Sequence, residues 1–195
     1  MSLSRVSAVF EGLPCGGKTT LINELASHIP NGRAISEWVR PQEELCNYNG
    51  TIAAVRNDYL KSASMEDDGA FGLADRYYYS TVPYELAIAH KQITPALFEA
   101  EFKRLYTDKL QPPTHLIIVP LDVEESLRGS NHRGWPGQGN PWFSESFLRI
   151  YDKYYQDLLS PHERWYGEES FTKKLRLSST QLSERIEEVR QFIGA

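Results

Sequence analysis

The sequence predicts a single α/β domain in which a five-stranded, mostly parallel sheet is covered by helices on both faces. Short apolar runs alternate with longer stretches whose apolar residues recur at helical spacing, a pattern typical of parallel sheets. The length of 195 residues suits one domain, since domains commonly have about 100–200 residues. Because no internal repeat and no linker-like composition interrupts the chain, we expect the domain to span residues 1–195.

Five apolar runs predict the strands of this sheet. The clearest is the run at 116–121, which follows two prolines and ends before Asp122. The run at 70–74 contains glycine and is the weakest of the five. The predicted strands are residues 6–10, 33–37, 70–74, 116–121 and 171–177.

Helical periodicity predicts the elements between these strands. Leu21, Leu25 and Ile29 recur every four residues after the first strand, and Asn31-Gly32 stops that helix. The stretch 42–64 reads as mostly helical, with a break near 47–50. The other predicted helices are 81–89, 95–110, one that begins at 123, 147–159 and 181–193.

The composition excludes several classes of function. Hydrophobic residues make up 41% of the chain and charged residues 24%, which excludes wholesale disorder. The net charge of −5 argues against a protein that coats a nucleic-acid polymer, because that task needs a basic face. No apolar run approaches the roughly 18 residues that span a membrane. Two cysteines are too few for a disulfide framework, so we expect a cytoplasmic location.

A phosphate-binding loop follows the first predicted strand. Residues 12–19 match the Walker A pattern G-x-x-x-x-G-K-[ST] without a mismatch, and a predicted helix follows, as the motif requires. Glycines let backbone amides turn toward phosphate oxygens, and the helix directs its positive end at the same anion. Lys18 can reach the β and γ phosphates, while the Thr19 hydroxyl can ligate Mg²⁺. The predicted nucleotide-binding residues are Gly12, Leu13, Pro14, Cys15, Gly16, Gly17, Lys18, Thr19 and Thr20.

The remaining motifs favour a kinase over a switch protein that hydrolyses its nucleotide. A GTPase is expected to carry an N/T-K-x-D signature, but the nearest candidate, at 172–175, reads T-K-K-L. A dinucleotide-binding fold needs G-x-G-x-x-G, and no glycine stands two positions after Gly12. The missing signatures count against these two classes, and a kinase that transfers the γ-phosphoryl group of ATP is the competing class.

Two motifs resemble the thymidylate kinase family and, more loosely, the deoxynucleoside kinases. Phe10-Glu11-Gly12 with Gly17-Lys18-Thr19-Thr20 is similar to the family's F-E-G…G-K-T-T opening. The run at 75–84, DRYYYSTVPY, resembles D-R-Y-x-x-S-x-x-A-Y, with Pro83 in place of alanine. Leu121-Asp122, a following helix with Arg128 and the pair Tyr154-Tyr155 occur in the order found in these kinases. The resemblance covers nearly the whole chain and implies a P-loop kinase that uses ATP and Mg²⁺.

One departure leaves the acceptor open. Thymidylate kinases carry E-P-G-G after the second strand, whereas this chain reads Glu37-Trp38-Val39-Arg40-Pro41, nearer the E-P-x-x-x-W neighbourhood of deoxynucleoside kinases. The resemblance implies that the acceptor is a nucleoside monophosphate or a nucleoside. The alternatives are a small non-nucleotide alcohol, such as a sugar or an antibiotic, and a nucleotide-binding regulator without efficient catalysis.

Acidic residues at two strand ends compete for the metal. Asp75 and Asp122 each follow an apolar strand, where a carboxylate can hold Mg²⁺ beside the phosphate loop, and each could instead cap the next helix. Motif order favours Asp75, with Thr19, as the metal-binding pair. Arg76 beside it suits contact with an acceptor phosphate or the sugar's 5′ oxygen, with a structural ion pair as the alternative.

The acceptor end is predicted from four further residues. Glu37, at the end of the second strand, can accept the acceptor hydroxyl's proton, or can ligate sugar or magnesium if the acceptor is a phosphate. Trp38 can stack on a base or pack under a helix. Arg56 resembles the arginine that these families aim at the acceptor, although a solvated arginine is the alternative. Tyr77 can shape the pocket or belong to the core.

A mobile lid is predicted at about 128–142, which reads RGSNHRGWPGQGNPW and contains no acidic residue. Phosphoryl transfer leaves negative charge on equatorial oxygens, and arginines delivered by a closing loop stabilise that charge while excluding water. Arg133, inside the loop, and Arg128, at its start, are the predicted catalytic arginines. The resemblance also implies a homodimer, by analogy alone.

Overall fold

All five strands pair in parallel in the computed structural model, which describes residues 7–40, 50–65, 70–132, 140–160, 163–166 and 172–194. The strand order is β2-β3-β1-β4-β5, so β1 lies at the centre. The strands are β1 (Ser7–Glu11), β2 (Gly32–Ile35), β3 (Phe71–Asp75), β4 (His115–Ile118) and β5 (Lys173–Arg176). The predicted fold class is therefore confirmed.

The helices follow the sequence periodicity. Leu21, Ile22 and Leu25 are buried along the inner face of the first helix, as their spacing predicts. The helices are α1 (Lys18–His28), α2 (Gly50–Met65), α3 (Tyr78–Thr81), α4 (Tyr84–Ile88), α5 (Pro95–Leu105), α6 (Val123–His132), a 3₁₀ turn (Pro141–Phe143), α7 (Glu145–Leu158) and α8 (Leu182–Ile193). None of the helices in the described ranges is long and apolar enough to span a bilayer.

Two apolar clusters cover the two faces of the sheet. The smaller one gathers alternate residues of β1, such as Ala8 and Phe10, with α1 and α8. The larger one contains Val9 together with aromatic residues of α3, α5 and α7. Because neighbouring residues of β1 point to opposite faces, the central strand is buried on both sides, as expected for a parallel sheet.

Several element boundaries differ from the sequence-based prediction. The helix predicted over 81–89 is split into α3 and α4 around Pro83, which has no amide hydrogen to donate. The helix predicted over 95–110 ends at Leu105, because Tyr106 adopts extended backbone with φ −115° and ψ 120°. Strand β4 ends at Ile118 rather than at 121, two residues before Pro120.

The lid boundary also needs correction. Residues 128–132, assigned to the mobile loop, form the last turn and a half of α6, and Pro141–Phe143 form the 3₁₀ turn at the other end. Residues 133–139, with Arg133, lie outside the described residues, as do 41–49 of the predicted helical stretch.

The topology opens a crevice at the carboxyl ends of β1 and β3. The chain leaves β1 toward one edge of the sheet and leaves β3 toward the other. In open parallel sheets, ligands bind where neighbouring connections diverge in this way. The phosphate loop follows β1 and the Asp75-Arg76 pair ends β3, so both lie at this crevice.

Candidate active site

The phosphate loop turns tightly between β1 and α1. A Cβ atom at Gly12 would lie 2.3 Å from the backbone oxygen of Val119, so only glycine fits there. Gly17, the residue before α1, has φ 82°. The Lys18 side chain is buried, and its Nζ donates hydrogen bonds to the carbonyl oxygens of Gly12 and Leu13 at 3.0 and 2.9 Å. Burial lowers the pKa of Lys18 below its usual value.

Neighbouring helices brace the loop from outside. The Ser126 hydroxyl of α6 donates to the carbonyl of Pro14 at 2.9 Å, and Arg185 Nη1 of α8 donates to the carbonyl of Gly16 at 2.9 Å. Cys15 is half-buried with φ 65°, and its Sγ lies 3.6 Å from Ser130 Oγ. The loop is therefore held in shape from two sides of the sheet.

Thr19 and Asp75 form the pair best suited to a divalent cation. Thr19 Oγ1 donates to Asp75 Oδ2 at 2.5 Å. Within the described residues, Asp75 Oδ1 is buried and accepts no hydrogen bond. A carboxylate and a hydroxyl beside a phosphate loop fit Mg²⁺, which takes oxygen ligands and needs only one or two from the protein. Asp122 is exposed at the start of α6, so the geometry favours Asp75.

Arg76 adopts the left-handed backbone conformation, with φ 60°, directly after β3. Non-glycine residues rarely do so, and such strain often occurs at functional sites. Buried Lys61 holds the turn, because its Nζ donates to the carbonyl oxygens of Asp75 and Arg76 at 2.5 and 2.8 Å. The Arg76 amide donates to the Phe10 carbonyl at 3.0 Å. These contacts hold the backbone of Arg76, from which the guanidinium extends.

The Arg76 guanidinium pairs with an acid and stacks on an aromatic ring. Its Nε lies 3.1 Å from Glu37 Oε1, and its Nη1 donates to Ser80 Oγ at 3.1 Å. Its central carbon lies 4.8 Å from the centroid of the Trp142 ring. Burial opposes its charge, but the facing acids, Glu37 foremost, raise the pKa of Arg76. The arginine is thus held by side chains from three separate segments.

Glu11 supports this arrangement from beneath. Its fully buried carboxylate accepts hydrogen bonds from the Tyr77 amide at 2.8 Å, from the Ser80 hydroxyl and from the Tyr155 hydroxyl at 3.2 Å. Its Oε2 lies 4.0 Å from Arg76 Nη1. Burial raises the pKa of Glu11 above its usual range.

Two adjoining cavities meet at the Glu37–Arg76 ion pair. The smaller, of about 200 Å³, is lined by the phosphate loop and Asp75. The larger, of about 490 Å³, is lined by residues of α2, α3 and the segment after β2. The residues that line both cavities are Glu37, Arg76, Asn140 and Trp142.

The larger cavity combines aromatic walls with buried polar groups. Trp38, Tyr84 and Trp142 supply aromatic surface. Asp58 and Lys61 lie in the wall on α2, and the Asp58 carboxylate accepts a hydrogen bond from the Tyr106 hydroxyl at 2.5 Å. Burial raises the pKa of Asp58 to about 6, although Lys61 opposes this rise. A planar ring with polar edges suits such a cavity.

The sequence-predicted residues divide into two groups. Glu37, half-buried Trp38, Arg76 and buried Tyr77 line the larger cavity, although Tyr77 also belongs to the core and donates its hydroxyl to the Gln111 carbonyl. Exposed Arg56 and exposed Arg128 line neither cavity within the described part of the chain. The structure therefore gathers the predicted loop and strand-end residues, but not these two arginines.

Several site residues were not singled out from the sequence. Asn57, Asp58 and Lys61 lie on the buried face of α2, where polar residues recur at helical spacing over residues 57–62. Asn57 Oδ1 accepts a hydrogen bond from the Val39 amide at 2.9 Å, and Asn57 Nδ2 donates one to the Glu37 carbonyl at 2.7 Å. These two bonds hold the segment after β2 in place. Polar residues along an inward helix face are the signal that could have identified them.

Solved structures share this architecture. A thymidylate kinase from Candida albicans matches with a TM-score of 0.69 and 17% identity, over 97% of this chain and 91% of that one. A deoxyadenosine kinase from M. mycoides, solved with bound dATP, matches with a TM-score of 0.64 and 11% identity, over 97% of this chain and 100% of that one. No protein-family model and no curated protein sequence matches. The chain therefore has the P-loop kinase fold that is found in thymidylate and deoxyadenosine kinases.

Proposed function

We propose that this protein transfers the γ-phosphoryl group of ATP to a nucleoside or a nucleoside monophosphate. The single observation that carries the proposal is the junction of the two cavities at Glu37 and Arg76. On one side of this junction lies the cavity lined by the phosphate loop, and on the other side lies an aromatic pocket of nucleoside size. The fold, found in kinases of nucleosides and nucleotides, supports the same reaction.

On the donor side, the loop amides and Lys18 would hold the phosphates of ATP, with the α1 terminus favouring their charge. Lys18 would exchange its two carbonyl contacts for phosphate oxygens. Thr19 and Asp75 would hold Mg²⁺, which neutralises charge on the phosphates when bound. The lid arginines, Arg133 ahead of Arg128, remain our predicted donors to the equatorial oxygens.

On the acceptor side, the ion pair favours a hydroxyl as the attacking group. Glu37 would take the hydroxyl's proton as oxygen bonds to the γ phosphorus and the bond to the β-phosphate oxygen breaks. A phosphate acceptor would meet the Glu37 carboxylate at close range, and Arg76 is already neutralised by that carboxylate. A nucleoside therefore fits the described residues better than a nucleoside monophosphate, and the aromatic walls favour either over a small non-aromatic alcohol.

ATP consumption with a panel of acceptors tests the proposal. The panel pairs each nucleoside with its monophosphate and includes sugars and aminoglycosides as the non-nucleotide arm. We expect turnover that depends on a nucleoside or its monophosphate and needs Mg²⁺. Absence of acceptor-dependent turnover across the panel contradicts the kinase proposal and favours a nucleotide-binding regulator. Turnover with thymidine monophosphate but not with thymidine contradicts the preference for a nucleoside over a nucleoside monophosphate.

A further inference from the structure

We infer that Asp58 selects the acceptor by its base, favouring bases with an exocyclic amino group, such as cytosine and adenine, over thymine and uracil. This inference rests on the proposed function, since it takes the larger cavity as the place of the acceptor's base. Asp58 is buried in the wall of that cavity, on the middle of α2.

Most of the polar side chains in the wall are committed to the protein itself. Asn57 uses its oxygen and its nitrogen to hold the backbone of residues 37–39. Lys61 donates to two backbone carbonyls at the end of β3. The Ser80 hydroxyl bonds Glu11 and accepts from Arg76, and the Thr51 hydroxyl donates to Glu85. These groups shape the pocket but have little left for a base.

Asp58 retains hydrogen-bonding capacity. A carboxylate has about four lone-pair positions. The hydroxyls of Tyr106 and Thr81 both bond Asp58, so about two of these positions remain. Glu37, the other acid that lines the cavity among the described residues, is paired with Arg76 at the phosphate junction. Among the described residues that line the cavity, Asp58 is therefore the carboxylate available away from that junction.

An acceptor in the wall discriminates between bases that differ in one group. Cytosine and adenine present an amino group that can donate to a carboxylate, whereas thymine and uracil present a carbonyl oxygen at the corresponding position. A carbonyl opposite Asp58 would leave two acceptors facing each other without a proton between them. A buried site built to pair with a donor rejects an analogue that lacks it, because its own polar group is left unpaired.

Binding of two matched nucleoside pairs tests this inference. Deoxycytidine and deoxyuridine differ in the amino group, which a carbonyl oxygen replaces, and in the proton that the neighbouring ring nitrogen then carries. Deoxyadenosine and deoxyinosine differ in the same way, and the same pairs can be used as monophosphates. Trp38 and Trp142 line the cavity, so their fluorescence reports occupancy without turnover. We expect each amino-bearing member to bind at least about tenfold tighter, the discrimination typical of one good polar contact to a base.

Substitution of Asp58 then assigns the preference to that residue. Asp58→Asn offers a donor as well as an acceptor and should reduce the affinity ratio at least about tenfold. Asp58→Ser has neither the charge of Asp nor the amide of Asn and should also lose the preference for amino-bearing bases. This second variant provides the test if the Asn variant does not fold. Glu163→Gln, a matched loss of charge at an exposed position outside both cavities, should leave the ratio unchanged.

The outcomes separate this inference from the proposed function. Equal or reversed affinities in the wild-type protein, no binding of any of these ligands, or a ratio unchanged in both Asp58 variants overturns the role of Asp58. Acceptor-dependent ATP turnover in any of these cases leaves the kinase proposal standing. An Asp58-dependent amino preference without turnover supports the inference and contradicts the kinase proposal.

Discussion

The two cavities that meet at Arg76 are built by different means. The phosphate side is built largely from the main chain of one continuous loop, to which Lys18, Thr19 and Asp75 add side chains. The acceptor side is built from side chains that come from α2, α3, the segment after β2 and the 3₁₀ turn. In the proposed function, affinity for the donor would therefore depend on local backbone geometry, whereas the choice of acceptor would depend on tertiary packing.

The largest expected effect lies on the phosphate side. Lys18→Ala removes a buried charge from the phosphate side and should lower kcat about 10³-fold, the upper end of the range for loss of one preorganised donor. Circular dichroism should remain that of the wild type, since the two lost hydrogen bonds involve loop carbonyls only. Exposed Lys91→Ala is the matched control. Retained transfer by Lys18→Ala would mean that this loop does not hold the donor.

The lid arginines form the next pair. Arg133→Ala should lower kcat about 10²–10³-fold with a smaller change in KM for ATP, because its charge would act on the transition state. Arg128→Ala should change kcat less, since Arg128 is exposed on α6. Steady-state kinetics with ATP varied distinguish the two. A rise in KM alone for Arg133→Ala would place that arginine in ground-state binding.

Glu37 separates the two classes of acceptor. Glu37→Gln keeps the size of the side chain but removes the base, so transfer to a nucleoside hydroxyl should fall about 10²-fold. Transfer to a monophosphate, which needs no strong base, should change little or increase. The ratio of kcat/KM for a nucleoside and its monophosphate measures this difference. An equal fall in kcat/KM for both acceptors would mean that Glu37 positions Arg76 and does not act as the base.

Lys61 tests how far packing controls the acceptor side. Lys61→Met should raise KM for the acceptor about tenfold, since the left-handed turn at Arg76 loses the ammonium that holds it. KM for ATP should change less, because the loop contacts are untouched. Lys91→Met provides the exposed control. An unchanged acceptor KM would mean that Arg76 keeps its place without Lys61.

The smallest effect concerns stability and pH. Burial raises the pKa of Asp58 from 3.8 to about 6, so the folded protein binds a proton there more tightly than the unfolded chain. Its contribution should make the free energy of unfolding fall by roughly 2 kcal/mol as the pH rises from about 4 to about 6. Asp58→Asn should show a smaller decrease over that range, measured by urea unfolding at both pH values. An identical pH dependence would contradict the raised pKa.

The contrast between a contiguous loop and a cavity assembled from separate segments also explains what could be predicted from the sequence. The phosphate loop is a contiguous motif whose backbone geometry depends on its own glycines, so residues 12–19 and the flanking β1 and α1 could be identified directly. Asp75 and Arg76 follow from their position at a strand end. The parallel sheet follows from the alternation of apolar runs and helices.

The acceptor side could not be predicted in the same way. Asp58 and Lys61 line the larger cavity because α2 packs its polar face against the end of β3. The spacing of polar residues indicates an inward face, but it does not say which strand end that face contacts. Tyr106 leaves α5 in an extended conformation, and its hydroxyl bonds Asp58, so helical spacing alone placed the end of that helix too late. Trp142 stacks on Arg76 from 66 positions away in the sequence.

The central claim is that a phosphoryl group passes between the two cavities. Incubation of the wild-type protein with ATP labelled in the γ-phosphate, Mg²⁺ and deoxycytidine or its monophosphate measures this directly. We expect the label to appear covalently on the acceptor, in an amount equal to the ADP formed. Label recovered only as inorganic phosphate, or remaining wholly in ATP with every nucleoside and nucleotide acceptor, would contradict it.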